Sequence, residues 1–378
     1  MNTAIFFPGY NRRAGDLEHA PFSILASIPE LGELHHFYRG DLKQDLLRYG
    51  VHHHCIGGGR SKFGYIVDYA VKSFQCLRKY HIDLIYCFDQ DTAFYITPAA
   101  RLLRIPIILQ VGVDWNAYNK KIKNPLKRAV KDWMKKKALK HVRAVVTLAH
   151  HLKTPIEAYG RSPKVLYPFI DTGAYPFQPA KRGSRLQMLF VGRLAPVKGA
   201  RYLIDCLPLV LKERKDFHLR IVGGTLPGSR SDEAYIRNQL DVHGLQDYVS
   251  LEGQVPHSKV VDYLQEADLV VMPSETEGFH YTLLESWACG LPVLATDIPF
   301  YREVIDEDTG RICGFSPEAM ACGILDFLSM QETHLIRMKH AARNKAERYV
   351  ADGKARWREF LKSQINGDDS RRDFEITA

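Results

Sequence analysis

Residues 272–290 read MPSETEGFHYTLLESWACG. A buried strand, Asp268–Met272, runs into a loop that carries Glu275, Glu277 and Gly278. A helix is expected to begin near Tyr281 or Thr282 and to end about Ala288, with Gly290 and Pro292 as its stop. The backbone N–H groups at that helix start have no partner within the helix and lie at the positive end of its dipole, a place suited to phosphate. Gly278 lets the backbone come close to a ligand. Glu277 and Glu285 are eight positions apart, about 12 Å if the span were wholly helical, so the two carboxylates suit opposite ends of one extended ligand.

A second stretch, Phe190–Gly199 (FVGRLAPVKG), repeats the order strand, loop, helix. Gly192 permits a tight turn, Arg193 offers a planar fork of donors and Lys198 a point charge; both cations suit a diphosphate. Read singly, each stretch is also what an ordinary strand-to-helix turn with surface charges looks like.

Working outward, short β-branched or aromatic runs alternate with helical periodicity along the chain. Ala4–Phe7 is the first strand, followed by Asp83–Phe88, Ile105–Val111 and Arg143–Leu148, with a helix over Thr92–Leu103. A second series begins near Leu186, with strands at Met188–Val191, His218–Val222, Val249–Leu251, Leu269–Met272 and Pro292–Ala295. Such alternation gives an α/β fold of parallel sheets with helices on both faces. A length of 378 residues at 46% hydrophobic content suffices for two cores. The expected division is 1–171, a linker at 172–184 rich in Pro and Gly, 185–340, a helix over 341–365 that returns to the first domain with a break at Gly353, and a frayed tail at 366–378.

In combination, residues 186–316 resemble the C-terminal half of the retaining family 4 glycosyltransferases, which have the GT-B fold. The family's two glutamates with seven residues between them are matched by Glu277 and Glu285. Its PS-x-x-EGF is matched by Pro273, Ser274, Glu277, Gly278 and Phe279, and its ACG-x-PV-x-AT by Ala288–Thr296. Its GR-x-x-x-x-KG loop is matched by Gly192, Arg193, Lys198 and Gly199. The resemblance implies two doubly wound Rossmann-like domains facing a central cleft. It also implies retaining transfer of a hexose from a nucleotide diphosphate sugar to a saccharide or lipid-linked saccharide, as in surface polysaccharide or glycolipid synthesis, with no metal. Arg193 and Lys198 would hold the diphosphate with the backbone of His280, Tyr281, Thr282 and Leu283. Glu285 would bind the ribose, Glu277 the sugar ring, and Gln254 and Val255 the base. Gly278 and Phe279 would line the donor. His280 stands where the family usually has a small residue.

The first half matches in layout more than in motif. The loop Pro8–His19 brings Gly15 toward the donor phosphates or is a plain turn. After Ile105–Val111 the family often has a histidine; here Gly112, Val113, Asp114 and Trp115 follow, and Asp114 is either the polar group at the reacting centre or a helix cap. Of the family's motif before the linker, VLYPFID at 165–171 keeps only Asp171. Asp89 and Asp91 form an Asp-x-Asp pair that suits a divalent ion or a helix cap. His52, His53, His54 and Cys55 are adjacent and lack zinc-like spacing. The seven cysteines never form CxxC and read as reduced.

The net charge of +9 is concentrated: Lys120–Arg143 holds eleven Lys or Arg against one acid, Asp132. Ile122, Leu126, Ala129, Val130, Trp133, Met134 and Ala138 recur at helical spacing among those cations. Such a helix lies on an anionic membrane with Trp133 at the interface, or packs its stripe on the sheet with solvated lysines. Nucleic acid is the weaker third reading, since no recognition motif accompanies the charge. No apolar run spans a bilayer and no signal-peptide pattern opens the chain, so a cytoplasmic protein, peripheral on the inner face of the membrane, is expected. A non-catalytic nucleotide-sugar-binding subunit and a nucleotide-sugar epimerase or phosphorylase of GT-B shape are the rival readings.

Overall fold

The computed structural model describes residues 1–6, 24–38, 50–56, 62–115, 122–177, 183–225 and 232–365. They divide into two compact units, one of Met1–Ile170 with the chain from Ala351 onward, the other of Asp171–Val350.

The first unit contains β1 (Asn2–Phe6), β2 (Glu33–Tyr38), β3 (His52–Cys55), α1 (Lys62–Lys79), β4 (Leu84–Cys87), α2 (Gln90–Leu103), β5 (Ile107–Val111), α3 (Pro125–His141), β6 (Ala144–Thr147), α4 (Lys153–Glu157) and β7 (Lys164–Val165). Its strands pair in parallel in the order β3-β2-β1-β4-β5-β6-β7. The second contains β8 (Leu186–Val191), α5 (Ala200–Glu213), β9 (Phe217–Val222), α6 (Glu233–His243), β10 (Val249–Gly253), α7 (His257–Glu266), β11 (Leu269–Met272), α8 (Tyr281–Ala288), β12 (Val293–Thr296), α9 (Pro299–Val304), β13 (Gly310–Cys313), α10 (Pro317–Ser329) and the start of α11 (Glu332–Ile365). Its parallel order is β10-β9-β8-β11-β12-β13. β11 and β12 are buried throughout, as uninterrupted apolar strands covered on both faces must be. Strand order reverses beside β8, so the chain leaves β8 and β11 at adjacent points on the carboxyl edge, where sheets of this kind bind ligands.

The sequence reading did not include β2 and β3, because histidines replace the apolar run. Parallel pairing sets His35 opposite His52 and His36 opposite His53. His35 Nδ1 lies 3.0 Å from His54 Nε2, His36 Nδ1 lies 3.0 Å from His53 Nδ1, and the His54 ring stacks on Tyr80 at 4.2 Å. The adjacent residues of β3 point to alternate faces. Among the described residues no group of three His, Cys, Asp or Glu is placed to hold a metal ion. Burial, with the charge of neighbouring histidines, pushes His36 down to about 3 and His54 to about 4.

An unfolded histidine binds its proton near pH 6.5, whereas these folded ones resist protonation until the pH is lower. Acid therefore favours the unfolded chain. Their contribution is intact above about 6.5 and is lost as pH falls toward the folded values. The melting temperature should drop across that window, and His36→Phe should flatten the dependence in thermal scans at stepped pH.

The expected break at Gly353 is corrected: α11 is a single helix of 34 residues. Gly353 is buried there, and a Cβ would lie 3.1 Å from the Phe169 ring, so the glycine serves close packing. Trp357 Nε1 donates to the Tyr167 carbonyl at 2.9 Å.

Candidate active site

The chain leaving β8 passes Gly192 and Arg193, makes a short turn at Pro196–Lys198 and enters α5 through Gly199. Gly199 has φ +71°, and a Cβ there would stand 1.8 Å from the Pro273 carbonyl oxygen. Only glycine allows the two loops to meet backbone to backbone. The Glu275 N–H then donates to the Val197 carbonyl at 2.9 Å. At the end of β9, Gly223 (φ +143°) makes the same close approach to the Gly192 carbonyl, 1.8 Å for a Cβ. Three strand ends are thus joined through their backbones. The sequence reading missed Gly223; its signal was the Gly223-Gly224 pair directly after a strand.

This junction sets the charges. Lys198 Nζ lies 2.6 Å from Glu277 Oε1, and Ser274 Oγ donates to the same oxygen at 2.6 Å. Thr296 Oγ1 at the end of β12 donates to the Ser274 carbonyl at 2.6 Å and holds that loop. Burial acts to raise the Glu277 carboxyl, but His280, Lys198 and the hydrogen bonds from Lys198 and Ser274 outweigh it and keep the group below the usual carboxylate range. Burial pushes His280 down to about 4 against the pull of the Glu277 carboxylate. His280 Nδ1 lies 2.6 Å from the Tyr301 hydroxyl and 3.8 Å from Glu277 Oε1. Arg193 is exposed, and among the described residues its guanidinium makes no ion pair. It remains available to an anion.

α8 begins at Tyr281 with His280 as N-cap, and no side chain caps it. Within the first turn the Leu283 N–H bonds to the His280 carbonyl at 3.0 Å. Phe279 packs on Phe300 and Tyr281 behind Gly278. Glu285 lies in α8 and Glu277 in the loop before it, as the sequence led one to expect. Glu285 is buried, accepting from Tyr175 Oη at 3.1 Å and His257 Nε2 at 2.7 Å. Neither partner was singled out in the sequence; Tyr175 fell within the expected linker, where nothing marks it. Gln254 and Val255 follow β10, and Gln254 Cβ is 3.3 Å from where a Gly224 Cβ would lie. The segment read as the base contact thus abuts the end of β9.

Glu285→Gln removes the charge that strengthens these hydrogen bonds and any to a ribose. Nucleotide affinity should fall by about ten-fold or more, measured by calorimetry, with the melting temperature changed little.

In the first unit, Asp89 is the N-cap of α2, accepting from the amides of Asp91 and Thr92 at 2.9 Å. Asp91 pairs with Lys131. The cap reading therefore accounts for Asp89. Asp114 is half-buried and directly precedes helical Trp115. Gly15, Lys120 and Lys121 lie outside the described residues.

The glycosyl transferases group 1 family model matches residues 171–347 and the glycosyltransferase family 4 model residues 32–174. The chain is 29% identical over 204 residues to a D-inositol 3-phosphate glycosyltransferase of Streptosporangium roseum, covering 47% of this chain and 46% of that one. It is 31% identical over 124 residues to the lipopolysaccharide core biosynthesis mannosyltransferase LpsB of Rhizobium meliloti, covering 32% of this chain and 35% of the relative. The chain spans about a third to just under half the length of the curated relatives it matches. Among solved structures, Anabaena HepE in complex with UDP-glucose superposes with a TM-score of 0.79 at 18% identity, over 96% of this chain and 99% of that one. A sucrose-phosphate synthase of Thermosynechococcus elongatus superposes at 0.76 with 16% identity, over 97% and 100%.

Proposed function

Because this chain belongs to the family 4 glycosyltransferases, we propose that its second unit binds a nucleotide diphosphate sugar and that the enzyme transfers the hexose with retention of configuration. The observation that carries this reading is the Lys198–Glu277 pair at the junction of the strand ends, with Arg193 exposed in the same loop as Lys198. On donor binding the diphosphate takes the Lys198 ammonium, the Arg193 fork and the first amides of α8. Glu277 is then left ionised next to the sugar ring, where it stabilises positive charge. Arg193 and Lys198 oppose the charge that builds on the departing diphosphate, and the acceptor hydroxyl attacks from the face that the diphosphate leaves. Catalysis in this scheme is positioning and charge stabilisation. Glu285, fixed by Tyr175 and His257, takes the ribose hydroxyls; Gln254 and Val255 take the base. Asp114 takes part on the acceptor side.

The donor class agrees with the UDP-glucose bound to HepE. The acceptor is a saccharide or a lipid-linked saccharide, met in the cytoplasm at the inner face of a membrane, in surface polysaccharide or glycolipid synthesis. With cations in the metal's place, turnover should survive EDTA, and proton NMR should find the anomeric configuration of the donor preserved in the product. Metal-reversible loss of all activity, or inversion, would refute the respective half of the scheme.

A further inference from the structure

The basic helix α3 divides along its length. Its C-terminal half packs inward through Met134, Ala138 and Leu139. Its N-terminal half is more open: Leu126 is 74% exposed, Val130 48% and Trp133 51%, with the Trp133 ring edge-on against Phe94 at 5.2 Å. These three stand four and three residues apart, on one side of the helix. The other exposed large apolar residues among those described, such as Val71, Val242 and Phe315, lie on separate elements. Lys127, Lys136, Lys137 and Lys140 are exposed beside the stripe, and exposed Lys123 precedes the helix. The one acid in the helix, Asp132, accepts from Tyr159 Oη at 3.0 Å.

We propose that the face of α3 formed by Leu126, Val130 and Trp133 docks on an anionic lipid surface. The cations that flank the stripe complement acidic headgroups, whereas apposing two copies of the same face would set cation against cation. No described helix is long and apolar enough to cross a membrane, so α3 lies in the interface, apolar residues toward the acyl chains and lysines among the headgroups. The proposal deepens the reading of a lipid-linked acceptor, yet it is tested without donor or acceptor.

Not every lysine of α3 belongs to this face. Lys135 is fully buried, with Nζ 3.7 Å from Asp132 and 5.0 Å from the Trp115 ring centroid, so it belongs to the core and a change there would confound folding with binding. Trp133 gives a specific reporter, since Trp115, Trp287 and Trp357 are at most 1% exposed.

Vesicles of phosphatidylglycerol should bind the protein at least about ten-fold more tightly than phosphatidylcholine vesicles, as expected of several lysines near a charged surface. Brominated acyl chains should then quench Trp133. Lys136→Glu with Lys137→Glu, and separately Leu126→Asp, should each weaken binding by about ten-fold or more, while nucleotide affinity and melting temperature stay at wild-type values. Equal binding to both vesicle types, or none at low salt, would overturn the proposal. So would RNA binding without vesicle binding, or a dimer that Leu126→Asp dissociates while vesicles go unbound. Loss of donor turnover in the wild type would bear on the enzymatic reading and leave this one standing.

Discussion

Arg193→Ala and Lys198→Ala should each lower kcat by about 10²–10³-fold, the loss that follows when one group opposing charge in a transition state is removed. The two variants should differ in stability. Arg193 is exposed and makes no ion pair among the described residues, so its removal costs activity alone. Lys198 is 17% exposed and Glu277 9%, at 2.6 Å. Removing the lysine leaves a buried carboxylate without its cation, a change that destabilises by about 3 kcal/mol or more. Glu277→Gln introduced on top of Lys198→Ala should restore most of that stability and none of the rate. A double-mutant cycle read by both denaturation and turnover checks this. Near-normal rates in both single variants would remove the pair from the diphosphate site.

Gly199→Val should have the largest structural effect. The new Cβ would meet the Pro273 carbonyl at 1.8 Å with the backbone at φ +71°, so the loops after β8 and β11 must part. A loss of about 2–4 kcal/mol is expected for strain and lost packing at such a position, with nucleotide binding abolished. Gly183→Ala is the control, since nothing lies within 4 Å of a Cβ there. Denaturation and calorimetry on both would decide whether contact between the loops builds the site.

The strand–loop–helix frame of the candidate site in the second unit was legible because it is local in sequence. The β8 and β11 loops each follow an apolar strand directly, so Gly192, Arg193, Lys198, Glu277 and Gly278 could be read from strand, loop and helix in order. What that order does not contain is which loops meet. The Gly199–Pro273 and Gly223–Gly192 contacts depend on strand order, as does the Tyr175–Glu285 bond across 110 positions. β2 and β3 escaped notice because ring contacts between histidines replace the usual apolar run. The basic helix was legible as amphipathic, but only burial tells Leu126 and Trp133, which face out, from Met134 and Ala138, which face in.

A nucleotide-sugar transferase must consume its donor. The measurement is release of nucleoside diphosphate from a panel of UDP-, GDP- and ADP-sugars, with an acceptor extract, by the wild type and by Arg193→Ala at matched protein concentration. The wild type should consume at least one donor, and the variant should do so about 10²-fold or more slowly with an unchanged melting temperature. Wild-type protein that binds a nucleotide yet consumes no donor, or a variant as fast as the wild type, would contradict the proposed activity.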